Sequence, residues 1–504
     1  MLMTAAEYRE SLREYKPRVF LDGRTVDVVA DDPALLPGIN AIGVTYDLAH
    51  QAQYAEVMTA RTPDGRTVNR MTHQDTNGAD LLAKLEAVRL VCQESGCAQR
   101  YLTHDSLAAL AQATFAADAE HGTEYGQRFA SYLARVQDED LTLGVAMTDA
   151  KGDRSQRPGK QANPDVYVHI SSRRSDGIVL RGTKAIVTGA PYVHEFLVMP
   201  CRTMTAEDAD FAVCAAVPVD ADGVTIVARP AGRPGERAAT FSNRYGQSTG
   251  VVIFDDVFVP WERVFLAGEH EVGGLLTTSY ATHHRHTCIG ARAGFGDLLI
   301  GAGVLMTEAN GLDTERHAHI RDAMVELITL VEGFYACGVA ASSYAVEDPS
   351  GIFMPDPVFA NIGKLLLANG IYDMHRLAHY VSGGLIVALP GPDEDHNPET
   401  AAALDAVLGA RADIPSRQRL EVARLVEDLT ASYQGGWYSV ISLHGGGSPE
   451  AMKREIWRNY PLPEKTELVQ RLLERGVAGG RPLTSRQPGK CCSTGCQPPQ
   501  PEQT

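Results

Sequence analysis

Met147-Thr148-Asp149-Ala150-Lys151-Gly152-Asp153-Arg154 and Arg181-Gly182-Thr183-Lys184-Ala185-Ile186-Val187-Thr188-Gly189 lie within the stretch from Leu141 to Pro200 that decides the fold. The first is a polar, glycine-containing turn, and the second reads as a strand running into a glycine turn. Between them, Val166-Tyr167-Val168-His169-Ile170 and Gly177-Ile178-Val179-Leu180 are rich in β-branched residues, and Ser175-Asp176-Gly177 supplies the Asp-Gly pair of a tight hairpin. Branched side chains suit a pleated surface and crowd a helix, so the stretch predicts a small sheet within an otherwise helical chain. A purely structural hairpin needs only Asp-Gly. Edge loops that also carry Thr, Asp, Lys and Arg can offer donors to a large planar cofactor, and local sequence leaves both readings open.

Upstream, Thr4-Ala5-Ala6-Glu7 is a capping box, in which hydroxyl and carboxylate each serve an orphan amide and start a helix. Arg18 to Val29 reads as a hairpin turning at Asp22-Gly23. Helices follow over Pro37 to Met58 and from about Asp80, where Leu81, Leu85, Val88 and Cys92 recur at helical spacing, and Leu107 to Tyr132 continues as helix. Residues 1–140 are expected to form a helical domain and residues 141–270 a middle β domain. The further strands of the latter are Phe211 to Val217, Val224 to Ala228 and Val251 to Phe258, with a turn at Asp220-Ala221-Asp222-Gly223 and a loop over Pro230 to Arg237. Residues 271–476 are expected to form a C-terminal bundle of about four long helices. Ile320, Met324, Leu327 and Val331 mark one apolar face, Val422, Leu425 and Leu429 another, with further helices near Pro357 to Tyr380 and Thr400 to Arg411. Residues 477–504 drift to Gly, Pro, Gln and Ser and are expected to be a disordered tail.

A chain of 504 residues is too long for one compact core. A formal charge of -17, from 63 acidic and 46 basic residues, argues against a nucleic-acid or anionic-membrane surface. No run reaches the roughly 18 consecutive apolar residues of a membrane span. Glu7, Arg9, Glu10, Arg13 and Glu14 interrupt any signal-peptide core, so a cytoplasmic protein is expected. Cys92, Cys97, Cys201, Cys214, Cys288 and Cys337 then read as reduced. Cys491, Cys492 and Cys496 match no standard zinc spacing, and His283, His284 and His286 cannot all face one point of a helix, so no metal site is assigned.

The order of helices, sheet and bundle defines an α+β, mostly α class and resembles the acyl-CoA dehydrogenase fold. Further motifs carry a more specific resemblance. They are Met3-Thr4-Ala5-Ala6-Glu7-Tyr8, the Met147 to Arg154 turn, Asp176-Gly177-Ile178-Val179 with Arg181-Gly182, Phe254-Asp255-Asp256-Val257-Phe258-Val259-Pro260-Trp261-Glu262-Arg263, and His444-Gly445-Gly446-Gly447-Ser448-Pro449. Together they resemble the 4-hydroxyphenylacetate 3-hydroxylase and 4-hydroxybutyryl-CoA dehydratase family over nearly the whole chain, and the dehydratase branch in particular. The resemblance implies FAD, held by Thr148, Asp149, Lys151, Gly152, Asp153, Arg154 and Ser155, by Thr188 and Gly189, and by Ser382, Gly383 and Gly384 from a neighbouring subunit of a homotetramer. Glycines admit backbone amides to a pyrophosphate, and Lys151 or Arg154 offsets its charge. Gly383-Gly384 also reads as a simple helix stop.

The dehydratase branch ligates a 4Fe-4S cluster with three cysteines and a histidine. Cys97 and His284 match two of those positions, while Tyr101 and Ala291 occupy the others, which leaves too few ligands. Thr249 and Ile441 stand where that branch uses proton-transferring Glu residues. Leu102, Ser106 and Val145 stand where the hydroxylase branch binds its phenol. His284, Arg285 and His104 are the candidate catalytic residues, with Arg285 as a partner for a phosphate or carboxylate. No GxGxxG fingerprint of nicotinamide binding follows a strand. The expectation is a two-component flavin-dependent monooxygenase that takes reduced FAD from a separate flavin reductase. With molecular oxygen it hydroxylates or oxidises a small aromatic or amino-acid-derived molecule. An acyl-CoA dehydratase/isomerase-like lyase without an intact cluster is the alternative, and a flavin-binding scaffold without catalysis is a third.

Overall fold

The computed structural model describes residues 2–232 and 236–475. The expected tail, with Cys491, Cys492 and Cys496, and part of the Pro230 to Arg237 loop lie outside the described residues. The capping box starts the helix Ala5–Ser11: Glu7 N donates to Thr4 Oγ1 at 3.2 Å and Thr4 N to Glu7 Oε2 at 2.7 Å. Asp22 and Gly23 both take positive φ, +49° and +81°, as a tight hairpin turn requires. The strands on either side, Val19–Leu21 and Arg24–Val26, do not stay with the N-terminal helices. Val19–Leu21 pairs in parallel with Val224–Ala228 and extends the middle sheet.

That sheet has six strands in the order Arg24–Val26, Val19–Leu21, Val224–Ala228, Thr249–Pro260, Gly177–Thr188, His169–Arg173. A second sheet runs Val264–Ala267, Val213–Pro218, Glu195–Val198, Leu143–Ala146. Buried side chains of both sheets share one core, where Phe196 meets Phe254 edge-on at 6.4 Å between ring centres. The Ser175-Asp176-Gly177 hairpin forms, but its first strand is His169–Arg173, because Pro164–Val166 is a turn of 3-10 helix.

The expected continuous helix over Leu107 to Tyr132 is two helices, Tyr101–His121 and Tyr125–Asp138. Gly122 in the left-handed region, at φ +66°, ends the first. The bundle contains His270–Ala309, Ala318–Ser343, Pro357–Ser382 and Ser416–Thr430, followed by the shorter Tyr433–His444 and Pro449–Asn459. Gly294 lets the first of these approach Gly78–Ser95, since a Cβ there would lie 2.3 Å from the Arg89 carbonyl oxygen. His270–Ala309 and Ala318–Ser343 are long and apolar enough to span a membrane, with mean hydropathy 1.4 and 1.5. Neither contains 18 consecutive apolar residues, since His, Thr and Glu interrupt both. In the first helix 67% of the apolar window is buried inside the bundle.

Glu195 ties the helix Tyr125–Asp138 to the second sheet. It is 1% exposed, accepts from Tyr132 Oη at 3.0 Å and Arg263 at 2.9 Å, and pairs with Arg135. Burial alone would raise its pKa, but Arg263 and Arg135 outweigh burial and hold it below the usual range. A depressed folded pKa contributes stability above the unfolded value, and that stability is lost as pH falls through the folded pKa. Glu195→Gln is therefore expected to cost about 1–3 kcal/mol at pH 7. Thermal melts of both proteins from pH 7 to pH 3 check this: the gap closes toward acid, and a pH-independent gap contradicts it.

Candidate active site at the junction of sheet and bundle

The strand Gly177–Thr188 ends at Thr188, where Gly189 at φ +74° turns the chain and donates its N–H to the Ser248 carbonyl at 2.9 Å. Thr188 faces a pocket whose other walls are the start of Tyr101–His121, the middle of His270–Ala309, the helix Pro357–Ser382 and the helix Tyr433–His444. All three parts of the chain thus meet at one point. Within the pocket wall, two aromatic rings stack on His284, Tyr101 at 6.0 Å and Tyr280 at 5.4 Å between ring centres. Its Nδ1 is 3.1 Å from Asp105 Oδ2 and its Nε2 is 3.5 Å from Cys288 Sγ. Asp105 is fully buried and also accepts from Thr287 Oγ1 at 2.6 Å.

Burial alone would lower the His284 pKa, but Cys288 and Asp105 outweigh it and push the ring up to about 10. The ring is thus an imidazolium at neutral pH, with both N–H groups donating. Lys364 lines the same pocket and donates Nζ to the Ser442 carbonyl at 2.5 Å. Burial brings it down to about 8. Arg292 lines it too, beside Cys97, whose thiol is held down at about 6 by the Cys92 thiol and the Arg292 guanidinium against the effect of burial. Among the described residues no carboxylate lines the pocket.

Of the expected catalytic residues only His284 lines this pocket. His104 is fully buried outside the pocket lining, 3.2 Å from Asp75, 3.5 Å from Lys84 and 3.9 Å from Asp105, where burial lowers its pKa. Arg285 donates Nε to the Gly446 carbonyl at 2.8 Å and Nη1 to Asn361 Oδ1 at 2.7 Å, which ties it to the Gly445-Gly446 turn. In the turn from Thr148 to Ser155, Asp149 is buried against Lys184 at 2.8 Å and accepts from Val168 N at 2.9 Å. Asp153 folds the turn by accepting from Ser155 N and Oγ at 2.9 and 2.8 Å. Lys151, Gly152 and exposed Arg154 remain to meet an anion, with Lys151 and Gly152 at φ +72° and +48°. Ser382, Gly383 and Gly384 end their helix and line a separate cleft with Asn310, Tyr380 and Arg419, which shares no residue with the Thr188 pocket. One subunit therefore does not bring the two together.

The positions judged by resemblance do cluster. Tyr101, Ala291, Leu102 and Ile441 line the pocket with His284, Cys97 Sγ is 3.6 Å from Tyr101 Oη, and Thr249 pairs with Thr188 across the sheet. Ser106 instead bonds its own helix at Thr103 O, 2.9 Å, and Val145 lies in the second sheet. Among the described residues no three His, Cys, Asp or Glu side chains are grouped to hold a metal, so the residues present do not fit a four-ligand cluster. Lys364 and Arg292 went unnoticed in the sequence, and Cys288 was read only as a reduced cysteine, although it lies four residues beyond His284, one helical turn away.

Residues 4–266 match the family model for the N-terminal part of 4-hydroxyphenylacetate 3-hydroxylase, and residues 274–474 match the model for its C-terminal part. The chain belongs to the 4-hydroxyphenylacetate 3-hydroxylase family. Within the family it is 34% identical to a 4-hydroxybutyryl-CoA dehydratase/vinylacetyl-CoA-Delta-isomerase of Clostridium aminobutyricum, over 93% of this chain and 99% of that one. The structure is similar to that of an oxygen-tolerant archaeal 4-hydroxybutyryl-CoA dehydratase from N. maritimus, with TM-score 0.90, 32% identity and coverage of 96% and 97%. The oxygenase component of a 4-hydroxyphenylacetate 3-monooxygenase, solved with FAD, shares the fold with TM-score 0.84, 24% identity and coverage of 94% and 98%. Likeness to glutaryl-coenzyme A dehydrogenase places this family's architecture in the acyl-CoA dehydrogenase-like fold. The family thus holds enzymes of two chemistries on one scaffold.

Proposed function

We propose that this protein is a two-component, FAD-dependent monooxygenase that hydroxylates or oxidises a small aromatic or amino-acid-derived substrate, with reduced FAD supplied by a separate flavin reductase. The observation that carries the reading is a pocket with a charged His284, Lys364 and Arg292 and no carboxylate. The residues present fit FAD. Gln99 Oε1 at the pocket and Ser382 Oγ are buried acceptors without a partner among the described residues, and a Cβ on Gly384 would meet nothing within 4 Å. Thr188 and Gln99 would hold the ring, Lys151 and Arg154 the phosphates, and Ser382, Gly383 and Gly384 of a neighbouring subunit the far end, as a cytoplasmic homotetramer would allow.

Bound reduced FAD supplies the electrons that activate molecular oxygen. The chain's own groups do the rest. Tyr101, Leu102, Leu367 and Trp437 exclude water from the pocket, which strengthens every charge in it. Lys364 and Arg292 favour the ionised form of a phenol. His284 holds a proton on Nε2 at the pocket wall, and the Asp105 carboxylate, accepting from Nδ1, orients the ring and stabilises its charge. A panel of phenols and aromatic amines, supplied with reductase-generated reduced FAD under 18O2, tests the reading by mass spectrometry. One 18O atom in a product supports it. Recovery of all oxygen as hydrogen peroxide, at the rate of free reduced FAD, counts against it.

A second reading is favoured by the 34% identity to a dehydratase: a lyase or isomerase acting on an acyl-CoA without an iron-sulfur cluster. It expects the protein to exchange carbon-bound hydrogens of a butenoyl-CoA with D2O in the absence of oxygen.

A further inference from the structure

We propose that Cys288, His284 and Asp105 form a thiol-imidazole-carboxylate relay that makes Cys288 a nucleophile toward conjugated carbonyl compounds entering the Thr188 pocket. Cys288 and His284 are one turn apart on the helix His270–Ala309, which sets Sγ 3.5 Å from Nε2. Asp105 reaches the other ring nitrogen at 3.1 Å from the helix Tyr101–His121, and Thr287 Oγ1, at 2.6 Å, fixes the carboxylate. Tyr101 and Tyr280 both stack on the ring and restrain it. A base oriented by a third group beside a nucleophile is the arrangement that activates thiols. Both Cys288 and His284 line the pocket, and Lys364 stands on its opposite helix.

Charge supports the geometry. Burial would raise the Cys288 pKa, but the His284 imidazolium outweighs burial and lowers it. Cys97 is also held down, but by the Cys92 thiol and the Arg292 guanidinium and not by an imidazole; Cys214 is pushed up by burial, and half-buried Cys337 donates to the Gly333 carbonyl of its own helix at 3.6 Å.

The step balances without oxidant or reductant. Cys288 stands as the thiolate of an ion pair, its proton already on His284 Nε2, and a sulfur lone pair forms an S–C bond at the β-carbon of the conjugated carbonyl. The C=C electron pair moves onto the carbonyl oxygen as an enolate, which Lys364 is placed to receive, and the Nε2 proton then returns to the α-carbon. The relay stands on this chain's residues alone, so its test does not depend on the flavin reading.

Acrylamide, a small conjugated amide, is the probe. The full-length purified protein is pulsed with it at pH 7, and adducts are located by peptide mass spectrometry. An ionised thiol exceeds an ordinary one by up to roughly 30-fold in thiolate content at pH 7, and lower intrinsic nucleophilicity reduces this to about tenfold. Cys288 is therefore expected to react about tenfold faster than Cys337, and His284→Gln is expected to abolish that excess with Cys337 unchanged. Equal rates at Cys288 and Cys337, or a Cys288 rate untouched by His284→Gln, overturn the proposal. Circular dichroism of the variant, with the Cys337 rate as internal standard, separates loss of the relay from loss of the fold.

Discussion

His284→Gln lowers turnover by about 10^2 to 10^4-fold, the usual contribution of a positioned acid-base group. The glutamine amide keeps the volume and can still donate toward Cys288, but it neither carries a positive charge nor passes a proton. The loss should fall on kcat more than on KM, because the proton moves only in the chemical step. In the native protein the group acts as an imidazolium, with its pKa raised to about 10. Activity that depends on it is present below that value and falls as pH rises through it. A rate profile from pH 6 to pH 10.5 checks the sign, and an unchanged kcat in the variant removes His284 from the chemistry.

Lys184→Met is expected to destabilise the protein by about 3–5 kcal/mol, the cost of leaving one member of a buried ion pair alone. Lys184 is 1% exposed, and its Nζ donates to the carbonyls of Met147 and Met199, each at 2.9 Å, besides pairing with Asp149. Methionine fills the space and satisfies none of the three oxygens. Because two of them frame the turn from Thr148 to Ser155, FAD affinity should fall with stability. Urea unfolding and an FAD titration measure the two effects. Adding Asp149→Asn should recover part of the stability by removing the stranded charge, and a single variant as stable as the native protein contradicts the account.

What the sequence disclosed was local chemistry. The capping box at Thr4, the Asp22-Gly23 turn, and the apolar face Leu81, Leu85, Val88, Cys92 are each decided within a few residues, and each is where it was expected. Parallel pairing of Val19–Leu21 with Val224–Ala228 joins segments about two hundred residues apart, and no local signal encodes it. The break at Gly122 could have been read as a helix stop, but the alanine-rich helical composition around it masked it. For the site, resemblance put His284, Tyr101, Ala291 and Ile441 on one pocket. It could not tell that His104 and Arg285 spend their hydrogen bonds on Asp75, Asn361 and a backbone carbonyl, since partners for buried polar groups come from distant segments. Cys288 had a visible signal in its spacing from His284, and only Asp105, supplied by another helix, gives that spacing meaning.

The central claim is that this scaffold activates oxygen on reduced FAD and has abandoned cluster chemistry. Anaerobic loading of the purified protein with reduced FAD, stopped-flow mixing with oxygen, and an iron assay on the same sample test it in one experiment. The account predicts tighter binding of reduced than of oxidised FAD, reoxidation in more than one kinetic phase, and no stoichiometric iron. Single-phase reoxidation at the rate of free flavin, or about four irons per subunit as in a 4Fe-4S protein, would contradict it.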